Sequence, residues 1–361
     1  MSVKSVPTNQ NGFILAFTLW GLAAITLGSF YFASWAERSV QSAREELENL
    51  QIRQDILSTR STLLYLVASQ PLNRAGLTLP ARDADLRAAA LAARKNANPF
   101  NSLVKVTGTE LKMDGLWYKG IGRAQFSLQD IGGLFGLYNI SPAEFDRLLQ
   151  AVGVPVEQWG FLTDTLLDYI DTDTLHRLNG AEEDEYERIG LPAPAGRRLL
   201  TSRELANVYG WNTKEFSALT DRISLLTAAG KGRGVNLNTA PLPVLETLES
   251  MDAQSAQNIL VVRRQRPFAS VADANRAAGK VVLRKQMMYS FLPSKYVRLT
   301  IGANARGAWR EINLIITPAA ANGAPWIIDY DIPVPRRNGL QQQEQAESFE
   351  AQDTGNPLFT P

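Results

Sequence analysis

The chain has 361 residues, and its 37 Lys and Arg nearly balance its 36 Asp and Glu, so no overall field draws it to nucleic acid or acidic lipid. It has no cysteine and only one histidine, His176, which excludes disulfides, thiolate zinc sites, a cysteine nucleophile and histidine-cluster chemistry. The length is sufficient for two medium-sized domains.

The first predicted element is a long helix that begins in an uncharged segment. Residues 13–36 contain no charged side chain, and as a helix they extend about 36 Å, enough to cross a hydrocarbon core. A signal peptide does not explain this segment, because its apolar region rarely exceeds about 15 residues. No Pro or Gly interrupts residues 30–70. A roughly heptad apolar stripe therefore carries the helix on to residue 70, through Val40, Ala43, Leu47, Leu50, Leu57 and Leu64. A simple single-pass anchor would explain only the part up to Ala36.

The rest of the chain predicts an α+β fold with an insertion. Residues 71–130 and 281–334 contain alternating apolar runs and turn residues that predict antiparallel strands. Residues 131–280 have helical periodicity with several Gly and Pro breaks, so we expect an inserted all-α domain between the two parts of the sheet. The polar tail, residues 335–361, is expected to be disordered.

The helical block contains an internal repeat. Residues 136–154 and 234–253 share the order apolar, Asn, small polar, Pro and a short helix. In the second copy Thr239 is expected to cap the helix that follows. This copy resembles a helix-hairpin-helix unit of the competence-protein type, some of which bind DNA phosphate through hairpin amides. The hairpin, residues 250–253, lacks glycine and contains Asp252, which favours a packing role.

Three arginines keep a DNA-binding alternative open. Arg263, Arg264 and Arg266 form a basic cluster after the hairpin, and a membrane-anchored DNA-binding protein would use it. An anchored hydrolase with paired carboxylates is a second alternative from another class. The acidic residues of this chain are more typical of a cation site than of an acid–base pair.

The strongest candidate site is an acidic stretch in the middle of the insertion. Asp164, Asp168 and Asp171 lie at i, i+4 and i+7, on one face of a predicted helix, where like charges repel. Asp173 follows, and four more carboxylates occupy residues 182–185. Oxygen ligands without His or Cys select Ca²⁺ over a transition metal. A solvated acidic hairpin is an equal alternative from charge alone.

Several motifs together resemble the K-type minor pseudopilin of type II secretion systems. Gly12-Phe13 is similar to the processing site of pilin-like precursors, and Phe17 stands where most pilins have Glu but K-type pseudopilins do not. The acidic stretch keeps the family pattern of Asp168, Asp171, Asp173, Gly180, Ala181, Glu182 and Tyr186, with Tyr169 in place of Trp. Ser202, Glu204 and Leu205 fit a family helix start.

The resemblance implies a domain plan and a metal site. It implies a leader at residues 1–12, a helix at residues 13–70 that spans the membrane at 13–36, and a pilin-like α+β domain at residues 71–130 and 281–334. The residues that would hold a structural Ca²⁺ are Asp168, Asp171, Asp173, Glu182 and Glu185.

The resemblance also implies a function without enzymatic activity. The chain would lie at the tip of a pseudopilus, start its assembly and contact I- and J-type minor pseudopilins and other pseudopilins. A prepilin peptidase would cut after Gly12, the new N-terminus would be methylated, and nucleic acid is not an expected partner. The protein would cross the inner membrane once, with its C-terminal domains in the periplasm.

Overall fold

The computed structural model describes residues 11–79, 106–138, 140–231, 234–303, 309–317, 323–335 and 357–359. It divides into two compact units, Met1–Gln54 and Asp55–Pro361. The predicted leader lies almost wholly outside the described residues.

Helix α1 is continuous over Asn11–Ser69, as the lack of internal Pro and Gly predicts. Among the described residues it is the one helix that is long and apolar enough to cross a membrane, by length and composition alone. In the first unit its large apolar side chains are exposed, including Trp20 and Phe30 in the uncharged segment and Val40 and Leu47 in the heptad stripe. An apolar surface of this extent requires lipid or a protein partner.

The second unit contains a five-stranded antiparallel sheet and a small three-stranded one. The sheet order is β12-β11-β10-β5-β4 in the larger and β1-β2-β3 in the smaller. The strand bounds are β1 Leu72–Asn73, β2 Gly76–Thr78, β3 Glu110–Leu111, β4 Asp114–Lys119, β5 Ala124–Asp130, β10 Tyr296–Ala303, β11 Trp309–Ile316 and β12 Trp326–Val334. Strands β5 and β10 are neighbours in space although the whole insertion separates them in sequence.

One face of the large sheet packs on the C-terminal part of α1. The alternate residues of β5 and β10 that point to this face are apolar and buried, as are the helix residues opposite them. The core consists of Leu63, Leu66, Val67, Phe126, Leu128, Val297, Leu299, Ile301, Ile312 and Leu314, with smaller contributions from the three-stranded sheet. This face confirms the predicted α+β class.

The insertion has its own core between β5 and β10. Its helices are α2 Pro142–Ala151, α3 Val156–Ile170, α4 Glu183–Arg188, α5 Ser217–Leu226, α6 Leu242–Glu246, α7 Ala253–Gln265 and α8 Val271–Ala278. The largest buried side chains at its centre are Phe145, Tyr186, Trp211 and Phe268. In the repeated segments, α2 and α6 both have a proline in the first turn, and Arg147 Nε of α2 donates to the Thr247 carbonyl at 2.8 Å.

The insertion differs from the predicted all-α domain in two respects. It also contains two short parallel strand pairs, Phe135–Gly136 (β6) with Thr227–Ala228 (β7) and Val235–Asn236 (β8) with Tyr289–Ser290 (β9). It also extends past residue 280, because Val282 and Leu283 are buried in its core and β9 pairs within it. Residues 281–290 lack helical periodicity, which made them look like part of the sheet domain.

A buried carboxylate ties together the two points where the chain leaves and rejoins the sheet. Asp130 ends β5, is fully buried and accepts from Gly132 N–H at 2.9 Å. Its other oxygen accepts from Asn236 Nδ2 and Thr239 Oγ1, each at 2.8 Å. Ser294, just before β10, donates from its N–H at 2.9 Å and from its hydroxyl at 2.6 Å. Five donors therefore converge on one carboxylate.

This arrangement corrects the predicted helix cap. We expected the hydroxyl of Thr239 to cap the next helix, but α6 begins at Leu242 after Pro241, which makes no side-chain cap bond. The Thr239 hydroxyl donates to Asp130 instead. A tertiary hydrogen bond to Asp130 therefore replaces the local helix cap that the sequence predicted for Thr239.

The second face of the sheet is joined to the insertion by a buried arginine. Arg298 of β10 donates to the carbonyl groups of Leu225 at 3.1 Å and Thr227 at 2.7 Å. Glu311 of β11, also fully buried, lies 3.4 Å from Arg298 and 3.1 Å from Arg203 of the insertion. Burial disfavours the guanidinium charge, but the neighbouring Glu311 raises the pKa of Arg298 above its usual value.

The predicted disorder of residues 335–361 does not apply to Pro357–Phe359. These residues form a 3₁₀ turn, and the Phe359 ring stacks on Phe126 with centroids 5.3 Å apart. Phe359 is 5% exposed and belongs to the core under α1. An aromatic residue isolated in a polar tail gives no periodic signal from which this contact could be predicted.

Strand β12 forms one edge of the large sheet. Ile327 and Ile328, near its start, are both exposed, whereas Pro333 lies near its other end, opposite Arg310. Asp329 is exposed and accepts from Asn313 Nδ2 at 3.0 Å. A proline inside a strand is tolerated at such an edge because no neighbour needs its missing N–H.

Replacing Asp130 with Asn should destabilise the protein strongly. The amide would place a donor against several of the five donors, and we expect a loss of about 3 kcal/mol, which lowers the melting temperature by about 6–12 °C. The measurement is thermal unfolding of the full chain in detergent. Asp184→Asn, on the exposed surface of α4, is the matched control and should change the melting temperature little. Equal melting temperatures for the two variants would contradict the role of Asp130.

Candidate functional site

Helix α3 holds the first carboxylates of the acidic stretch. Its apolar face, with Leu162 and Leu166, is fully buried in the insertion core. Asp168 lies in its last turn with a fully buried side chain, and Asp171 is the C-terminal cap residue. Because the helix is fixed by its apolar face, both carboxylates have fixed positions at its C-terminal end. Carboxylates are unfavourable there, where the helix dipole is negative.

The positive charge that offsets these carboxylates comes from Arg177. Its Nη1 forms a close ion pair with Asp168 Oδ1 and lies 2.5 Å from Asp171 Oδ2. Its backbone N–H donates to Asp168 Oδ2 at 3.2 Å. Burial opposes the charge on the guanidinium, but the hydrogen bonds to Asp171 and Asp168 raise the pKa of Arg177.

Two further contacts fix the loop that follows α3. Asn179 donates to Asp164 Oδ2 from its backbone N–H at 3.1 Å and from its side-chain amide at 3.0 Å. Gly180 passes so close to Asp168 that a Cβ there would lie 1.7 Å from Oδ2. Only glycine fits at residue 180, which explains why the predicted motif contains it.

The carboxylates are not fully compensated. Asp171 Oδ1 and Glu182 Oε1 are buried side-chain oxygens without a hydrogen-bond partner among the residues that the structure describes. Glu182 is 8% exposed, and burial followed by repulsion from Asp168 and Asp171 raises its pKa. The site therefore retains a negative potential that a cation would relieve.

The other two predicted ligands have different partners. Asp173 Oδ1 accepts from the Leu175 N–H at 3.0 Å. Glu185 closes a capping box with Glu182 at the start of α4 and contacts Arg188 and His176 Nε2, the latter at 3.2 Å. The hydrogen bond within the capping box is the main cause of the lowered pKa of Glu185.

The five predicted residues therefore share a neighbourhood but not one coordination point. Within the described residues, no three Asp, Glu, His or Cys side chains have an arrangement that would hold a metal ion. The chemistry of the buried oxygens fits a hard cation, whereas the space between Asp168 and Asp171 is taken by a guanidinium. Sequence reasoning missed Arg177, and the available signal was a single basic residue between two acidic clusters.

The helix-hairpin-helix segment does not present the surface that phosphate binding needs. Arg263 is buried, and its Nη1 donates to the carbonyl groups of Leu237 at 3.0 Å and Ala240 at 2.5 Å. Ser250, in the hairpin, has a φ of 66°, a conformation that normally requires glycine. Asp252 caps α7 and pairs with Lys280, a bond that lowers the pKa of Asp252 to about 2. A carboxylate thus occupies the helix N-terminus where a phosphate would bind.

The predicted processing site lies at the start of α1. Gly12 and Phe13 have helical backbone, and the residues before Asn11 lie outside the described part of the chain. Cleavage between Gly12 and Phe13 stays a prediction.

Comparisons with known proteins show similarity over the insertion. Residues 132–228 and 235–287 match two family profiles, both described as type II secretion system protein K. The type II secretion system protein K of Pseudomonas aeruginosa is 29% identical over 164 residues, which cover 42% of this chain and 48% of that protein. The protein K of Pectobacterium carotovorum subsp. carotovorum is 28% identical over 137 residues, 36% of this chain and 41% of that protein. The match therefore spans about half the length of these relatives or less.

A solved structure shares the fold. It is the crystal structure of the GspK-GspI-GspJ complex from the enterotoxigenic Escherichia coli type 2 secretion system, with a TM-score of 0.50 and 15% identity. The likeness covers 82% of this chain and 100% of that chain. The insertion is therefore similar to that of type II secretion system protein K, and the chain shares the fold of the solved structure.

Proposed function

We propose that this chain is a K-type minor pseudopilin of a type II secretion system. It lies at the tip of a pseudopilus, helps to start its assembly and has no enzymatic activity. The observation that carries the proposal is the insertion between β5 and β10. It is joined to the second face of the sheet through Arg298 and to the end of β5 through Asp130. A helical filament grows because each subunit accepts the next through a repeated contact. The insertion enlarges the second unit beyond its sheet. Such a subunit suits the end of the filament, where no further subunit has to be accepted.

A feature of α1 in the first unit also supports a place at the tip of the pseudopilus. Phe17 is 71% exposed on the apolar part of α1, where other pilin-like subunits carry a carboxylate for a neighbour's N-terminus. A subunit without that carboxylate lacks one contact of the regular filament. The helix would cross the inner membrane once, with the second unit in the periplasm, after a prepilin peptidase has cut after Gly12 and the new N-terminus has been methylated.

The partners we propose are I- and J-type minor pseudopilins, together with other pseudopilins. The similar solved chain is part of a complex of GspK, GspI and GspJ. In this chain the heptad stripe is exposed at Val40, Leu47 and Leu50, whereas Leu64 is half-buried within the second unit. The exposed part of the stripe, from Val40 to Leu57, is therefore the part available to a second helix.

Charge on this stripe should abolish partner association. In Val40→Lys, Leu47→Lys, two lysines would have to be buried against apolar partner side chains, at a cost that exceeds the gain from packing. The measurement is co-purification of the full chain with coexpressed I- and J-type pseudopilins, and we expect at least a tenfold loss.

The control changes the opposite face of the same helix by the same charge. Ser42→Lys, Glu46→Gln alters exposed residues there and should leave co-purification intact. Equal recovery of partners by the two double variants would contradict the proposed contact.

We further propose that the acidic loop binds a structural Ca²⁺. Support comes from the unpartnered oxygens of Asp171 and Glu182 and from the raised pKa of Glu182. Asp168, Asp171 and Glu182 would be the ligands closest at hand, and Asp173 and Glu185 would have to exchange their present partners. The ion would tie the end of α3 to the start of α4 and fix the shape of the insertion.

Calcium should therefore raise the melting temperature of the full chain in detergent. At a hundredfold excess over Kd the gain is about 2.7 kcal/mol, or about 5–10 °C. Asp171→Ala, Asp173→Ala should lose this gain. Glu182→Gln should melt higher than the unmodified chain in chelator, because it removes a repelled charge, yet respond less to calcium.

An exposed acidic residue provides the control for charge alone. Glu183→Gln lies on the surface of α4 and should keep the full response. Identical curves with calcium and with chelator for the unmodified chain would reduce the acidic loop to a solvated surface.

A further inference from the structure

We propose that the start of strand β12, together with a groove beside it, receives an extended apolar strand from one of the proposed pseudopilin partners. This inference rests on the proposed function and adds a second contact surface to the helix stripe. Three features of the second unit carry it: an open sheet edge, an apolar groove next to that edge, and the position of the groove at the end of the stripe.

The backbone of β12 directs hydrogen-bonding groups to an open edge. β12 is the last strand of the large sheet, and no other described strand pairs with its outer side. The Thr317 N–H donates to the Pro325 carbonyl at 2.8 Å, whereas Ile316, opposite Trp326, directs its N–H to the other side of β11. Hydrogen-bonded and non-bonded pairs alternate along an antiparallel ladder. The N–H and C=O groups of Trp326 and Ile328 therefore point away from β11, to the open edge.

An apolar groove lies between this edge and the end of α1. Its volume is about 480 Å³, and its lining includes Leu64, Tyr65, Ala68, Ser69, Pro325 and Trp326. Trp326 and Ile328 lie opposite Ile316 and Leu314, which belong to the core under α1. Residues paired across neighbouring strands point to the same face of a sheet. A side chain of an added strand opposite Trp326 would therefore enter the groove.

The edge is regular over only a short segment. The register between β11 and β12 shifts at Asn313 and Leu314, so Asp329 is an extra residue in β12, a bulge that interrupts regular pairing. The segment that accepts a strand is therefore residues 326–328. Asp329 is exposed at the end of this segment, where its carboxylate accepts from Asn313 Nδ2 and pairs with no cation among the described residues.

Two observations favour a pseudopilin partner over a second copy of this chain. Leu64 of the groove belongs to the heptad stripe, and the exposed Leu57 precedes it by one heptad. A partner whose helix follows the stripe thus has its next domain beside the groove. In addition, β12 contains Asp329 and Asp331 but no basic residue. A strand that carries Lys or Arg is attracted to this edge, whereas a second β12 brings further carboxylates to it.

The first test removes one outward N–H donor. Ile328→Pro loses this donor without breaking a bond to β11, whereas Ile328→Val keeps the donor and the branched side chain. The measurement is co-purification of the full chain with coexpressed I- and J-type pseudopilins. We expect recovery of the partners to fall about fivefold for Ile328→Pro, the usual effect of one lost hydrogen bond, and to stay unchanged for Ile328→Val. Unchanged recovery for Ile328→Pro overturns the strand contact.

Cross-linking covers the case in which Ile328→Pro does not fold. The chain has no cysteine, so Ser69→Cys in the groove provides a unique attachment point for a benzophenone maleimide. Illumination of the co-purified complex should join this chain to the I- or J-type pseudopilin. Lys119→Cys is the matched control, because Lys119 is exposed on β4 at the opposite edge of the same sheet, and it should give no such product.

The outcomes separate this inference from the proposed function. Partners that co-purify but give no cross-linked product with Ser69→Cys leave the proposed association standing and overturn the groove contact. A product that contains two copies of this chain and no partner overturns the assigned occupant. Absence of co-purification with the unmodified chain overturns the proposed partners and, with them, this contact.

Discussion

The buried carboxylate of Asp130 is the constraint on which the second unit depends. A chain that leaves a sheet, builds a separate core and returns to the neighbouring position must place its two crossing points side by side. Asp130 accepts from Gly132 on the outgoing side, from Ser294 on the returning side and from Asn236 and Thr239 in between. Pairing of β5 with β10 follows from that closure. With Arg298 on the second face, the insertion and the sheet form one body rather than two joined by linkers.

The main features of this fold could be predicted from the sequence because they rest on periodicity and chain breaks. An unbroken helix, alternating strands and a helical block between them are local patterns, and the structure contains all three. The boundary at residue 280 was misplaced because Val282 and Leu283 enter a helical core without helical spacing. Phe359 was missed for a related reason: a single buried ring has no period. Contacts of this kind are determined by the space left in a core, which no local pattern records.

In the acidic site, too, local patterns predicted some features and tertiary contacts determined the others. Spacing placed Asp168 and Asp171 together at one end of α3, and the motif required a glycine at residue 180. The partner of both carboxylates, Arg177, could not be assigned because its contact depends on how the loop folds back. Thr239 was assigned to a helix cap by local logic and lies on Asp130 instead. Sequence patterns thus indicated which polar residues matter. Their partners could not be predicted, because buried carboxylates select them through tertiary contacts.

The edge strand β12 has a consequence for the solubility of the second unit. An open sheet edge is a template on which a second strand adds, and the exposed Ile327 and Ile328 make such addition more favourable. Pro333 cannot donate to an incoming strand, and a second copy approaching in antiparallel register would bring its own Asp329 charge close to this one. These two residues limit self-pairing to a short segment at the start of β12. Among the described strands, β12 therefore combines an edge position with two residues that oppose the addition of a further strand along its whole length.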